Sequence, residues 1–419
     1  MLGAAGLAGG LGLSRAVHAG GSDALRIGLV GCGGRGNGAA VNALHADHGA
    51  KLVALADAFP DRLENSLNQL KKAKAKQVDV APDHCFSGFD AYQKLIRSGV
   101  DVVLLATPPH FRPIHLAACV AAGKHVFCEK PMAVDAPGVR TVLAACEEAR
   151  KKGIGVVAGL CCRHDLATRE TMKRVGDGAI GEIVSIQETY NDSPPWFRNQ
   201  ARRPQWTEME YQVRNWYPFT WLSGDHNVEQ HVHSLDKACW ALGDRPPLKA
   251  WGMGGRQVRN EITIGQIFDH HAVCYEYAGG VRVYSFCRRQ AGCFDEISDL
   301  ILGSKGRAHL PQRCRIEGQN AWRYRGPKGN MYDAEHVELF QSIRKGTPRN
   351  DGAYMALSTM LAILGRMVTY TGQEITWEQA INSQEKLAPV QYSWDAAPPC
   401  LPNKNGQYPM AVPGVTRFI

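Results

Sequence analysis

The segment from Arg26 to Asp57 constrains the fold more than any other part of the chain. Arg26 to Val30 is a short apolar run that reads as a buried strand. Gly31, Gly33 and Gly36 follow as Gly-x-Gly-x-x-Gly, and a second apolar run closes on Asp57. Strand, glycine turn, helix and strand with a terminal acid is the setting that a dinucleotide-binding turn requires. Gly31 permits the tight turn, Gly33 lets backbone N–H groups approach a pyrophosphate, and Gly36 lets the helix pack closely on the strand. Gly34 and Arg35 open the helix, where unpaired N–H groups and the helix dipole favour an anion. Asp57 falls about 20 residues after Gly36, the place of a ribose-binding acid, and its charge would repel a 2′-phosphate. NAD is therefore expected in preference to NADP.

A chain of 419 residues, 44% of them hydrophobic, can form two cored domains. Its +8 balance is not gathered into long basic blocks. Lys71, Lys72, Lys74 and Lys76 fall together without interleaved aromatics, which reads as a solvated helix end and argues against nucleic-acid binding. The first 20 or so residues are small, apolar and glycine-rich, with Ala-x-Ala-like spacing near Val17, His18 and Ala19. They read as a signal-like or disordered leader, too short to span a bilayer. The 13 cysteines are odd in number and irregularly spaced, and Cys119, Cys128, Cys146 and Cys239 sit in apolar runs as small buried hydrophobes. If the chain is exported, such thiols fit export after folding. The alternative location is cytoplasmic.

Strand and helix patterns alternate from Arg26 to about Gly159. Pro60 to Lys76 reads as a helix, and Val100 to Ala106 as a strand covered on both faces. His125 to Cys128 and Gly155 to Gly159 follow as strands, with helices between. Repeated βα units imply a doubly wound parallel sheet with right-handed crossovers. The pattern changes after about Cys162. Ile183–Thr189, Lys249–Gly255, Ala272–Tyr277, Val281–Arg288 and Glu296–Leu302 read as serial strands, with Ala278-Gly279-Gly280 as a hairpin turn. Glu335–Arg344 and Ala353–Thr371 read as helices. The expected fold is α/β: an N-terminal Rossmann domain over residues 23–162, then a C-terminal α+β domain over 163–390 with a largely antiparallel sheet. The leader covers 1–22, and a proline-rich tail over 391–419 wraps the surface.

Ligands of such a sheet lie beyond the carboxyl ends of its strands. Two loops leave strands at that edge, Thr107-Pro108-Pro109-His110 and Glu129-Lys130-Pro131. Thr107, Pro108, His110, Glu129 and Lys130 are thus candidate cofactor contacts. Further on, GDHNVEQHVHSLDKACWALG carries Glu229-x-x-x-His233-x-x-Asp236, and positions four apart share a helix face. Asp225, His226, His231 and His233 also permit a metal reading. Their spacing matches no established zinc helix and no cysteine pair joins them, so no metal is expected. His270 and His271 precede a strand and read as surface or packed histidines. Between Asn191 and Leu222 lie Trp196, Phe197, Trp206, Tyr211, Trp216, Tyr217, Phe219 and Trp221, interleaved with Arg198, Arg202, Arg203 and Arg214. That mixture suits either sugar stacking or subunit contact, equally.

Glu129-Lys130-Pro131, with the N-terminal fingerprint and the Glu229 to Asp236 pattern, resembles the Gfo/Idh/MocA family, which includes glucose–fructose oxidoreductase and inositol dehydrogenase. The resemblance covers roughly Leu25 to Trp377, and its cofactor half is the more specific. It implies that Lys130 reaches the substrate hydroxyl beside the nicotinamide, where an ammonium stabilises an alkoxide or relays a proton. The family's second signature is Asp-x-x-x-His-x-x-Asp, so here glutamate stands for the first aspartate. His233 would take a hydroxyl proton, Glu229 would orient it, and Asp236 would be structural. Arg163, just after the last strand of the first domain, matches a substrate-side arginine, and Trp216 and Tyr217 join it as substrate contacts. The resemblance implies an NAD(P)-dependent carbohydrate oxidoreductase acting on a secondary hydroxyl of a sugar or glycoside, and a homo-oligomer, dimer or tetramer. An exported enzyme of this build would have no NAD pool. It would have to return its hydride in each cycle, as a sugar–sugar oxidoreductase or as a glycoside hydrolase using transient oxidation, elimination and re-reduction. A non-catalytic NAD-binding sensor would need neither Lys130 nor His233.

Overall fold

The protein is described by a computed structural model that covers residues 24–193, 199–258 and 265–419. The leader, with Val17, His18 and Ala19, lies outside the described residues, as do Trp196, Phe197 and Arg198. The first sheet is built from β1 (Leu25–Val30), β2 (Ala50–Asp57), β3 (Cys85–Ser87), β4 (Val102–Leu105), β5 (His125–Cys128) and β6 (Val156–Ala158). All its pairs are parallel, in the order β3-β2-β1-β4-β5-β6. The order reverses between β1 and β4, so the crevice for a ligand opens there, beyond the strand ends. Every residue of β4 is buried, as expected of a strand covered by helices on both faces.

The second sheet has nine strands: β7 (Ile183–Asp192), β8 (Lys249–Gly255), β9 (His270–Glu276), β10 (Arg282–Arg289), β11 (Glu296–Gly303), β12 (Gly306–Leu310), β13 (Arg315–Gly318), β14 (Trp322–Arg323) and β15 (Ile375–Thr376). Their order is β14-β13-β12-β11-β7-β10-β9-β8-β15. Pairing is antiparallel except between β7 and β10, which run parallel. The hairpin at Ala278–Gly280 joins β9 and β10, and Gly279 and Gly280 take the positive φ that such a turn needs.

The helix Gly352–Thr371 ties the halves together. It is long and apolar enough by composition to cross a membrane, but it is buried within the molecule. It packs on the helix Ala136–Lys152 of the first half and on the helix Val232–Ala241 and strands β8 and β9 of the second. The helix Met331–Arg344 returns to the first half and packs on the helix Gly34–Ala46, where Asp333 accepts a bond from Asn42 at 2.7 Å. The tail packs its aromatic rings on the first half. Trp394 stacks on Phe59 at 5.0 Å, and Tyr392 reaches His110 at 2.8 Å.

Candidate active site

The glycine turn is shaped by contacts that leave no room for side chains at two of its positions. Gly31 has φ +99°, and a Cβ there would lie 2.6 Å from the backbone of Ala106 and Thr107. A Cβ on Gly36 would lie 1.9 Å from the Gly31 carbonyl oxygen. Gly33 differs, because its nearest neighbour would be Arg62 Nη1 at 3.9 Å. The bare surface at Gly33 therefore faces open space, and the N-terminus of the helix Gly34–Ala46 points into it. Open space bounded by unpaired helix N–H groups fits a pyrophosphate.

That space belongs to a cavity of about 590 Å³ that runs from Asp57, past the glycine turn, to the second half. Asp57 lines it while accepting bonds from Cys32 N at 2.7 Å and Phe59 N at 3.0 Å. Burial pushes its carboxyl above the usual range, against these two N–H groups. The carboxylate thus braces the turn and still faces the ribose end, with Arg62 beside it. Thr107 and Pro108 line the cavity as expected, whereas His110 does not. The His110 ring turns away to Tyr392 and packs edge-on to Trp221 at 4.9 Å. Burial lowers it to about 3, so it is a neutral core histidine.

At the far end of β5, Glu129 and Lys130 point into the same cavity. Arg35 donates to Glu129 and, at 3.2 Å, to Glu335 on the returning helix. Burial opposes charge on both carboxyls. Arg35 nevertheless holds Glu129 below the ordinary carboxylate range, and Glu335, repelled by Glu129, is pushed up. Arg112 is the residue that sequence reasoning missed here. Its buried guanidinium donates to the carbonyls of Pro131 at 2.8 Å and Leu105 at 3.2 Å, which pins the Glu129-Lys130-Pro131 loop to the end of β4. An arginine three residues after a proline pair carries no local sign of such a role.

Lys130 reaches across to the second half, where Nζ donates to the Glu229 carbonyl at 2.5 Å and to Glu229 Oε1 at 2.9 Å. Glu229 and His233 both line the cavity, although not on one helix. The chain breaks at Gln230 and His231 between the short helix His226–Glu229 and the helix Val232–Ala241. Asp225 sets up this break from a backbone position with φ 84°, rare for a residue with a side chain. Its buried carboxylate accepts from Phe268 N at 2.9 Å, from Tyr370 Oη and from His226 N, and faces His271 Nε2 at 3.3 Å. His231 bonds Ser285 at 2.6 Å. Asp225, His226 and His231 are thus engaged in the scaffold and do not converge on His233. His271 is packed against Thr369 at 2.9 Å, and His270 bonds Asp269 at 2.8 Å.

Four further expectations are corrected. Arg163 does not line the cavity; it is buried against Asp236 at 2.8 Å and Asp244 at 2.6 Å, with Tyr354 under its guanidinium at 3.9 Å. Tyr217 is buried and bonds His226 at 3.0 Å, which leaves Trp216 as the cavity residue of that pair. The aromatic stretch is mostly an internal cluster. Tyr211, Phe219 and Trp221 are buried with Phe59 and Phe111, and Arg202 and Arg214 lie over Tyr211 and Phe59 at 4.0 and 3.9 Å. Finally, a cysteine pair does join the histidine. One donor atom each from Cys161, Cys162 and His233 lie within 4.8 Å of one another. Tyr332, under Arg35 at 5.0 Å, also lines the cavity and was not anticipated.

Residues 25–156 match the family model described as an oxidoreductase family with an NAD-binding Rossmann fold. A myo-inositol 2-dehydrogenase of Thermotoga maritima is 26% identical over 284 residues, which span 68% of this chain and 74% of that protein. A glycosyl hydrolase family 109 protein of Bacteroides thetaiotaomicron is 29% identical over 234 residues, 53% of this chain and 44% of that protein. The solved structure of scyllo-inositol dehydrogenase from Lactobacillus casei with bound NAD(H) and scyllo-inositol is 18% identical. It superposes with a TM-score of 0.64 over 85% of this chain and 99% of that one, which establishes a shared fold.

Proposed function

We propose that the chain is an oxidoreductase of the Gfo/Idh/MocA type, whose NAD-binding Rossmann model residues 25–156 match, and that it oxidises or reduces a secondary hydroxyl of a sugar, cyclitol or glycoside. The names of its relatives, inositol dehydrogenases among them, support that substrate class. One observation carries the reading: an ammonium from the nucleotide half and an imidazole from the other half line one cavity, beside a turn shaped for a pyrophosphate.

When bound, the nicotinamide supplies reversible hydride exchange with a carbinol carbon. Gly33, Gly34 and Arg35 would hold its pyrophosphate, Asp57 its ribose, and Thr107, Pro108 and Glu129 the side leading to Lys130. Asp57 favours NAD by repelling a second phosphate. Lys130, held by Glu229, presents its ammonium to the substrate oxygen and stabilises negative charge there. His233 takes or returns the hydroxyl proton. Glu229 orients Lys130, and Trp216 offers a ring face to the sugar.

A second reading, in which NAD is retained through each cycle, is favoured by the tail. Phe59 and Phe89 line the nucleotide end of the cavity, and Trp394 braces both from behind, at 5.0 and 4.3 Å. A swing of either ring would disturb its contact with Trp394, which supports slow cofactor exit. Retention would suit an exported enzyme, one of the two locations that the leader leaves open, whether it exchanges hydride between sugars or cleaves glycosides. The test is direct: the purified protein is denatured and the supernatant assayed for NAD. Stoichiometric NAD together with p-nitrophenol release from aryl glycosides and no net NADH establishes the closed cycle. An empty site that makes NADH from added NAD and a cyclitol or sugar establishes the dehydrogenase. NAD bound, with neither activity and no interconversion of a mixed pair of sugars, one oxidised as the other is reduced, leaves only a sensor. An oligomer is also proposed, through the open face of the second sheet. Met253 and Phe286 flank Ala272 in register there and are both exposed. Light scattering that returns a monomer mass would refute it.

A further inference from the structure

The turn after β6 places adjacent cysteines beside the active-site imidazole. Cys161 and Cys162 open the short turn Cys161–His164, and His233 lies in the first turn of the helix Val232–Ala241. The two thiols and one ring nitrogen are mutually within 4.8 Å, and both Cys161 and His233 face the cavity. His233 Nδ1 is buried with no hydrogen-bond partner. No disulfide joins the cysteines. Two sulfurs and an imidazole nitrogen form a donor set for a thiophilic, tetrahedral cation such as Zn²⁺. Ligand atoms around such an ion sit about 3.5–3.8 Å apart, from Zn–S and Zn–N bonds of about 2.3 and 2.0 Å. Side-chain adjustments of about 1 Å would therefore close the site. The fourth position would open to the cavity, as in three-ligand zinc sites.

We propose that Cys161, Cys162 and His233 form a zinc site that shuts the enzyme down by taking His233 out of proton transfer. The mechanism needs no redox step. Zn²⁺ replaces the two thiol protons, which pass to solvent, and coordinates the neutral imidazole. The metal site stands on its own geometry, and its inhibitory effect rests on the proposed role of His233. The two are tested separately.

The purified protein, with whatever cofactor it carries, is dialysed against chelator and titrated with Zn²⁺ alone by calorimetry. Co²⁺ is then used as a spectroscopic substitute. One equivalent of Zn²⁺ at micromolar affinity or better is expected, with Co²⁺ giving thiolate charge-transfer absorption and intense tetrahedral bands. Cys162→Ser should weaken Zn²⁺ binding at least tenfold and remove the charge-transfer intensity in part, whereas Cys293→Ser, at an exposed cysteine, should change neither. Thermal melting checks that each variant is folded, and Cys162→Ala serves where serine is not tolerated. No zinc binding, or equal binding by wild type and folded Cys162 variants, overturns the site. Binding that depends on Cys162 but leaves turnover unaffected upholds the site and overturns its inhibitory effect, and with it the role given to His233. Turnover that falls with zinc occupancy in wild type, and not in Cys162→Ser, supports both.

Discussion

Alanine at Gly33 and alanine at Gly36 should separate two demands that meet in one turn. A Cβ on Gly36 would lie 1.9 Å from the Gly31 carbonyl oxygen and 3.1 Å from its carbon. Both neighbours are backbone, so neither can rotate away, and the helix Gly34–Ala46 must move off β1 by more than an ångström. Overpacking of this kind costs about 1–3 kcal/mol, and what moves is the helix end that would hold the pyrophosphate. At Gly33 the nearest atom is 3.9 Å away, and φ −83° with ψ −177° is extended backbone that alanine adopts freely. The loss there is confined to a weaker helix cap, about 1 kcal/mol or less. The new methyl would, however, stand in the cradle. Gly33→Ala should therefore melt within a few degrees of wild type yet bind NAD at least about tenfold more weakly, about 1.4 kcal/mol. Gly36→Ala should lose both stability and affinity. Gly176→Ala, which meets nothing within 4 Å and lies outside the cavity lining, is the control that keeps both. Thermal unfolding without added cofactor, paired with NAD titration by calorimetry, reads the two effects apart. A Gly36→Ala protein as stable as wild type, or a Gly33→Ala protein with full NAD affinity, would refute the argument.

His233→Ala and Lys130→Met should each lower turnover by about two orders of magnitude or more with the fold retained; near-normal turnover in either variant removes that residue from the proton work. Asp57→Ser should shift the NAD to NADP preference by about tenfold or more toward NADP, because Arg62 lines the same end of the cavity. Equal preference ratios before and after would show that the carboxylate does not discriminate. Arg163→Ala leaves Asp236 buried without its partner and should cost about 3–5 kcal/mol in chemical denaturation, a loss that a solvent-facing substrate arginine would not show. Burial holds His110, His115 and His231 down to about 3 from an ordinary 6.5. The unfolded chain binds protons first as pH falls below 6.5, so each histidine removes up to about 1.4 kcal/mol of stability per pH unit. Melting midpoints should fall from pH 6.5 to pH 5, the three histidines outweighing Glu188 and Glu335, whose carboxyls burial pushes up and whose protonation opposes the fall; a flat profile would contradict neutral burial.

The nucleotide half was legible in the sequence because its determinants are local. Gly31, Gly33 and Gly36 constrain one turn, and the apolar runs of β1, β2, β4 and β5 are short, continuous and bounded by turn residues. The second sheet was legible as strands but not as a topology. Nothing in Ile183–Asp192 or Arg282–Arg289 states that these two strands lie side by side and parallel, since that pairing is set by what covers them. The residues assigned to the wrong environment share a cause. His110 reads as a ligand contact from its loop at the strand edge, and Arg163 and Tyr217 from the family resemblance and the aromatic stretch beside it. Each instead meets a partner distant in sequence, or one hidden in its own fold: Tyr392, the pair Asp236 and Asp244, and His226. Cysteines in apolar company read as small hydrophobes, which hid the approach of Cys161 and Cys162 to His233.

What no local pattern could convey is how the two halves are held in register, and the catalytic proposal depends on that. Lys130 and Glu229 are 99 positions apart and meet at 2.9 Å, so each must be fixed from its own side. The helix Gly352–Thr371 does both. On the nucleotide side, Thr359 accepts from Met132 N at 3.1 Å and Arg366 donates to the Val134 carbonyl at 2.6 Å, just past Lys130. On the other side, Tyr370 donates to Asp225, Ser358 donates to Asp236 at 2.8 Å, and Asn227 donates to the Ala362 carbonyl at 2.8 Å, bracketing Glu229 and His233. A single buried rod thus fixes the lysine-bearing loop and the histidine-bearing break against each other. Its near-complete burial on all sides follows from that position between two layers. The helix buried on nearly every side is the element that aligns the site, although it carries none of the reacting groups.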